Sequence, residues 1–244
     1  MWIVIDTNNP VNLERGSGSG SVTVNSVGDL ILTGTINATT NISLTAGAGA
    51  DITQQAGVIN SALGDITLDA GGNVGADPES GAEAKRVTVT TPSGVLTIKA
   101  GQAAYVEATG AKTLQLAGSA GTLADILSAS SIVNAAGQTF MTPELRLEIT
   151  GSVGSQTDFF RVGTASGNIR LSVDASEDVF LRGAASLELE QVASAYGDVH
   201  LVTDGSLLDA NTREVKDERD ISRMEAMWGK LGILAADTAA GQEA

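Results

Sequence analysis

The stretch Gly64-Asp65-Ile66-Thr67-Leu68-Asp69-Ala70-Gly71-Gly72-Asn73-Val74 decides how this chain folds. Ile66 and Leu68 flank Thr67, so both apolar side chains share one face of a short strand and threonine takes the other. The glycine ahead of the strand permits a tight turn, and the Asx side chain beside it bonds a nearby backbone N–H. The phrase returns as Gly28-Asp29-Leu30-Ile31-Leu32, Gly167-Asn168-Ile169-Arg170-Leu171 and Gly197-Asp198-Val199-His200-Leu201. Strand starts recur with it. One series runs Val22, Ile42, Ile66, Val87, Tyr105, and an interleaved one runs Leu30, Ile52, Val74, Leu96, Leu114. Ile169, Leu187, Leu207 and Phe160, Val179, Val199 repeat the rhythm later.

A period of roughly 20 residues holding two or three short strands is the signature of a solenoid. One such coil cannot bury its own apolar face. The next coil, stacked ~4.8 Å above, pairs each strand in parallel and continues the core. Parallel strands joined by crossover helices need connections of about a dozen residues, and Val22 to Leu116 leaves no room for them. The predicted fold is all-β, a parallel β-helix over residues 22–210. Residues 1–21 are expected to form an N-terminal strand or cap followed by the linker-like run Gly16-Ser17-Gly18-Ser19-Gly20-Ser21.

Three segments depart from the rhythm. Residues 75–84 form a polar excursion carrying Pro78, read as a loop bulging from a coil. Leu123-Ala124-Asp125-Ile126-Leu127-Ser128-Ala129 reads equally as one more coil or a short helical turn. After Asp209 the pattern changes altogether. Asn211-Thr212-Arg213-Glu214 has the form of a capping box, and Ile221, Met224, Trp228 and Leu231 follow at helical spacing. Arg213/Asp217 and Lys216/Asp220 stand four apart on the opposite face. An amphipathic α-helix is predicted over 211–236, with a disordered tail at 237–244.

Composition removes several functions. The 244 residues include no Cys, which excludes disulfides and thiolate metal sites. The net charge is −15, and no Lys or Arg occurs between Gly16 and Ala84, so a nucleic-acid partner is not expected. No apolar run approaches the roughly 18 residues of a membrane span. Aromatic residues are only 3% of the chain, so the core must be built from small aliphatics. Trp2-Ile3-Val4-Ile5-Asp6 has no basic flank and is too short for a signal peptide. Either the protein stays inside the cell or it is a segment of a longer precursor, and the Gly/Ser run with the C-terminal Thr238-Ala239-Ala240-Gly241-Gln242-Glu243-Ala244 favours the second.

The phrases Gly64-Asp65-Ile66-Thr67-Leu68-Asp69-Ala70-Gly71-Gly72-Asn73-Val74-Gly75 and Gly197-Asp198-Val199-His200-Leu201-Val202-Thr203-Asp204-Gly205-Ser206-Leu207-Leu208-Asp209-Ala210 resemble the repeats of filamentous-haemagglutinin-like large exoproteins. The tail, with Glu225-Ala226-Met227-Trp228-Gly229-Lys230-Leu231-Gly232, looks like an insertion between repeat blocks of very large bacterial surface proteins. The resemblance covers about Ser21 to Leu234. It implies a right-handed β-helix shaft, export across two membranes, and adhesion or aggregation at the cell surface, with a host or cell-surface glycan or protein and neighbouring segments of a parent chain as partners. Members of that family begin with a secretion module, which Asn9-Pro10-Val11-Asn12-Leu13 matches too weakly to represent.

Each candidate site residue has a plain structural role to set beside its chemistry. His200, the one histidine, lies between Val199 and Leu201, so alternation places it on the surface without a nucleophile beside it. One His and no Cys make a zinc site poor. Asp174, Glu177 and Asp178 are the densest acids of the coil region and the best candidates for a carbohydrate-active enzyme. A solvated turn has the same composition. Asp29, Asp65, Asn168 and Asp198 share one place in the repeated phrase, which suits either turn capping or a calcium-rigidified stalk. Thr88 and Thr90 would need copies in successive coils to form an ice-binding array. Met224 and Trp228 form a stripe that suits packing on the shaft or docking a partner. The preferred expectation is a non-enzymatic shaft with no catalytic, cofactor or metal site.

Overall fold

The structure, a computed structural model, describes residues 3–7, 11–13, 16–18, 20–81, 85–110 and 112–210, with side chains from residue 20 onward. Every named element among them is a strand, and the strands wind into a parallel β-solenoid of about nine turns. At ~4.8 Å per rung, nine turns make a shaft of roughly 43 Å. The predicted helix at 211–236 and tail at 237–244, with Met224 and Trp228, lie outside the described residues.

Two long ladders carry the solenoid. The first stacks Ile3–Thr7, Val22–Ser26, Ile42–Ala46, Ile66–Ala70, Val95–Ala100, Thr113–Ala120, Phe140–Met141, Phe160–Gly163, Val179–Gly183 and Val199–Thr203, in that order. The second stacks Gly16–Gly18, Ile36–Ala38, Ile59–Ser61, Val87–Thr90, Ala103–Thr109, Leu123–Ser128, Glu144–Ile149, Ile169–Ala175, Leu187–Ser194 and Leu207–Asp209. A third, short ladder of Val11–Leu13, Leu30–Leu32 and Ile52–Gln54 closes the early coils. It does not simply stop. Ile52 bridges to Val74 and Val74 to Ala104, so the third ladder runs into the second. Ala103–Thr109 therefore passes straight through what had been a corner, and the later coils need fewer, longer strands.

The core follows from register. Val24, Leu44, Leu68 and Ile98 are successive Cα partners, and each is fully buried. Thr23, Ser43, Thr67 and Thr97 are partners on the outward side. Like stacks on like because parallel in-register pairing keeps the alternation in phase from coil to coil. Each fully buried aliphatic side chain contributes about 1.5–3 kcal/mol relative to exposure. Phe140 and Phe160 are the largest fully buried side chains, so rings enter the core only in the later coils.

The observed rhythm corrects the expected one at its centre. The first ladder steps from Val22 to Ile42 to Ile66 as anticipated, then reaches Leu96 rather than Val87. Val87 and Tyr105 belong to the second ladder. Leu96 and Leu114 belong to the first ladder, and the partner of Leu96 is Leu116. The excursion after Val74 is the cause: it inflates one step to 30 residues, the separation of the partners Asp69 and Lys99. Its base is closed by Ala76 N donating to Lys85 O at 2.9 Å. Leu123–Ser128 is a strand, not a helical turn. The glycine–serine run expected to be a linker contributes Gly16–Gly18, which pairs with Ile36–Ala38.

A second irregularity is built from two coils together. The first half of Thr113–Ala120 pairs with Ser131–Asn134, and its other end meets Phe140–Met141. Residues 135–139 therefore leave the coil as a loop. In the next coil Val153 bridges to Ile132 and to Val179, and residues 154–159 loop out in turn. Asn134 joins the two coils: its Nδ2 donates to Arg161 O at 3.1 Å and its Oδ1 accepts from Arg161 N.

Close approach of coils requires glycine at Gly118, where φ is +113° and an added Cβ would fall 1.7 Å from Ile98 O. Gly137 also has positive φ (+72°), but an added Cβ meets nothing within 4 Å. Gly118→Ala is expected to lose roughly 3 kcal/mol or more, through clash and backbone strain together. Gly137→Ala should lose only about 1 kcal/mol, from strain alone. Denaturant titration of both variants measures this, and equal losses would contradict the rung register at Gly118.

Candidate functional site

Side chains at the corners bond from coil to coil. Asp29 Oδ1 accepts from Asp51 N at 2.9 Å, Asp51 Oδ1 from Asn73 N at 2.6 Å, and Asn73 Oδ1 from Ala103 N at 3.1 Å. At another corner Asn41 Oδ1 accepts from Asp65 N, and Asp65 Oδ1 from Val95 N. Ser131 and Ser186 hydroxyls serve Ser152 N and Ser206 N in the same manner. The corners turn away from the sheets, so these N–H groups have no regular strand partner and need a side-chain acceptor.

This disperses the residues expected to act together. Asp29 precedes a strand of the third ladder, Asp65 and Asp198 precede strands of the first, and Asn168 one of the second. The four share a phrase but not a single edge. Asn168 Nδ2 donates to Glu188 Oε1 at 2.6 Å. Among the described residues, no group of three or more His, Asp or Glu side chains is placed to hold a metal ion. Asp174, Glu177 and Asp178 separate as well. Asp178 Oδ1 accepts from Asp198 N at 2.8 Å, Glu177 Oε2 accepts from Ser152 Oγ at 2.9 Å, and Asp174 alone faces out from the second ladder. His200 is exposed and stacks on Phe180, with centroids 4.8 Å apart and planes 5° from parallel. Thr90 Oγ1 meets Thr109 Oγ1 at 2.8 Å, but Thr88 has Glu107 as its partner in the next coil, so the threonines make no array.

The outward side of the second ladder gathers the chemistry instead. Tyr105, Asp125, Arg146, Ser172 and Gln191 are successive Cα partners, and Glu107, Leu127, Glu148 and Asp174 form a parallel column. Arg86 Nη2 lies 2.6 Å from Asp125 Oδ1, and both side chains are largely buried. Arg146 is paired with Glu144 at 2.7 Å. Arg170 Nε lies 3.2 Å from Glu190 Oε2, an ion contact without hydrogen-bond alignment. The last pair exists because Glu190 is the extra residue of a β-bulge opposite Leu171 and Ser172, which re-aims its side chain.

A groove of about 250 Å³ crosses this face, lined by Glu79, Arg86, Asp125, Arg146, Leu147, Glu148, Ser172, Asp174 and Gln191. Glu79 comes from the excursion, so the loop that breaks the rhythm also supplies one wall. The Glu148 and Asp174 carboxylates stand on adjacent rungs as Cα partners, like charges directly opposite. Neither has an ion-pair or hydrogen-bond partner among the described residues. Ser172 and Gln191 side chains are equally uncommitted. Burial, then the carboxylates of Asp77 and Asp125, push the Tyr105 phenol above its ordinary range. Burial alone would lower Arg146, but the charge and hydrogen bond of Glu144, with Glu190 and Asp125 behind it, outweigh this and raise it.

The chain matches no family model, no curated protein and no solved structure. What the groove does must be read from its own groups. Sequence reasoning picked out Asp174 but missed Arg146, Arg170 and Glu148. Alternation of Leu145 and Leu147 with Arg146 was enough to place the arginine outward. Which residues lay beside it depended on the register that the excursion displaced.

The phenol offers a direct check. A folded-state value raised above the unfolded one favours the neutral form, so its stabilising contribution is present below about pH 10 and is lost as pH rises through the folded value. Alkaline spectrophotometric titration is expected to show a phenol ionising later than free tyrosine, and Tyr105→Phe should abolish that late phase. A late phase that survives in Tyr105→Phe would contradict the placement of Tyr105 beside Asp77 and Asp125.

Proposed function

We propose that this chain is a non-enzymatic shaft segment of a secreted or cell-surface exoprotein that mediates adhesion or aggregation. It would be a right-handed β-helix of the filamentous-haemagglutinin-like kind, carrying a C-terminal amphipathic helix. The observation that carries the reading is the employment of polar side chains between coils. Asp29, Asp51, Asn73, Asn41, Asp65, Asp178, Ser131 and Ser186 each accept from a backbone N–H of the following coil. An enzyme needs a few polar groups released from structural duty and converging on one reacting atom. A shaft needs them spent on rigidity.

A carbohydrate-active enzyme is the second reading, favoured by one observation: Glu148 and Asp174 are adjacent, uncommitted carboxylates in a groove. A paired-carboxylate hydrolase separates its acid and nucleophile by about 5–5.5 Å when retaining and farther when inverting. It also sets its two carboxyls in unlike surroundings, whereas Glu148 and Asp174 line the same groove. Negative charge with few bases suits a soluble, self-repelling rod rather than a nucleic-acid or anionic-membrane binder.

The test is to incubate the purified chain with a polysaccharide panel, with and without chelator, following retention, reducing-end release and melting temperature together. Retention or cell binding without reducing-end release, and a melting temperature unmoved by chelator, are expected. Turnover that disappears in Asp174→Asn or Glu148→Gln would establish the enzyme reading, and a large chelator-induced drop would establish a calcium stalk.

A further inference from the structure

On and beside the second ladder, polar groups engaged in ion pairs and polar groups left free lie side by side. Arg86, Arg146 and Arg170 are each engaged by a carboxylate, from Asp125, Glu144 and Glu190 respectively. Glu148, Ser172, Asp174 and Gln191 are engaged by nothing among the described residues, and all four line one groove. They come from three successive rungs, so the free groups repeat along the shaft axis at ~4.8 Å.

We propose that this groove is a binding subsite for a neutral, hydroxyl-rich glycan chain lying along the shaft. The proposal rests on the adhesive reading above and assigns its contact surface. Charge selects among ligands. The lining holds four carboxylates, on Glu79, Asp125, Glu148 and Asp174, against two guanidinium groups, on Arg86 and Arg146. The excess of two negative charges repels sulfated or uronic chains, and both arginines have their charge met by protein carboxylates. The mixture of groups then selects hydroxyls. Glu148 and Asp174 accept, whereas the Ser172 hydroxyl and the Gln191 amide both donate and accept, and a sugar hydroxyl both donates and accepts. A cationic peptide would bring its charge against Arg86 and Arg146, which line the same groove.

The experiment uses the full chain and three variants. Ser172→Trp fills the groove, Asp174→Asn removes one free charge while keeping an acceptor, and Thr67→Trp places the same bulk on the outward side of the first ladder. Circular dichroism and melting temperature establish that each is folded, and Asp174→Asn serves if Ser172→Trp is not. Retention is measured by affinity electrophoresis through neutral glucans, galactans and mannans, with heparin as the sulfated arm and polylysine as the cationic one. The wild type is expected to be retarded by at least one neutral polysaccharide and not by heparin. Ser172→Trp should weaken that retention at least tenfold, Asp174→Asn severalfold, and Thr67→Trp less than twofold. Retention that survives Ser172→Trp or Asp174→Asn overturns the groove while leaving an adhesive shaft standing. Retention by heparin or polylysine alone, or by no polysaccharide, overturns the neutral-glycan assignment.

Discussion

Each coil of this solenoid carries backbone N–H and C=O groups that only the coils above and below it can satisfy. A strand of two to eight residues has no stability alone, and its apolar face is too small to form a core. Both needs are met at once by stacking in parallel register, which brings partners to ~4.8 Å and sets Val24, Leu44, Leu68 and Ile98 in one buried row. The register is therefore shared property. A slip of one residue in any coil would turn its aliphatics outward and its threonines inward.

The same constraint governs the polar surface. At corners the sheet bonding lapses, and the side chains of Asp, Asn and Ser take it over by accepting from the coil that follows. On the flat sides no backbone group is left over, so outward side chains are free to interact with one another. There the second ladder develops its ion pairs, and the bulge at Glu190 shows how one extra residue alters a pairing. The functional potential of the fold lies where side chains escape structural duty. In the described region the groove beside Glu148, Ser172, Asp174 and Gln191 is one such place.

Much of the architecture was legible because short-range chemistry dictates it. Alternation in Ile66-Thr67-Leu68 and the Gly-Asx turn identify a strand and its corner wherever they occur. They do not identify which ladder the strand joins, since Asp29, Asp65 and Asn168 precede strands of three different ladders. Counting residues works only while coils keep one length. The excursion after Val74 changes that length and merges two ladders through Ala104, so the inferred partners of Ile66 and Leu96 failed there and recovered at Val179 with Val199. The candidate site suffered for the same reason. Asp174, Glu177 and Asp178 are neighbours in sequence, yet a coil corner intervenes and sends Asp178 to the backbone of Asp198. Arg146 and Asp174, far apart in sequence, line one groove from adjacent rungs.

The inter-coil register at the excursion is the point on which the stacking, the core and the groove wall all depend. The chain contains no cysteine, so introduced thiol pairs report on it without background. Thr67 and Thr97 are Cα partners on the outward side of the first ladder, whereas Thr88 belongs to the second. With both positions changed to cysteine, a short bifunctional thiol reagent is expected to bridge Thr67→Cys/Thr97→Cys in the folded protein, and to leave Thr67→Cys/Thr88→Cys unbridged. Efficient bridging of Thr67→Cys/Thr88→Cys with none in Thr67→Cys/Thr97→Cys would mean that the coils stack in a different register, and would contradict the continuous core and the groove wall together.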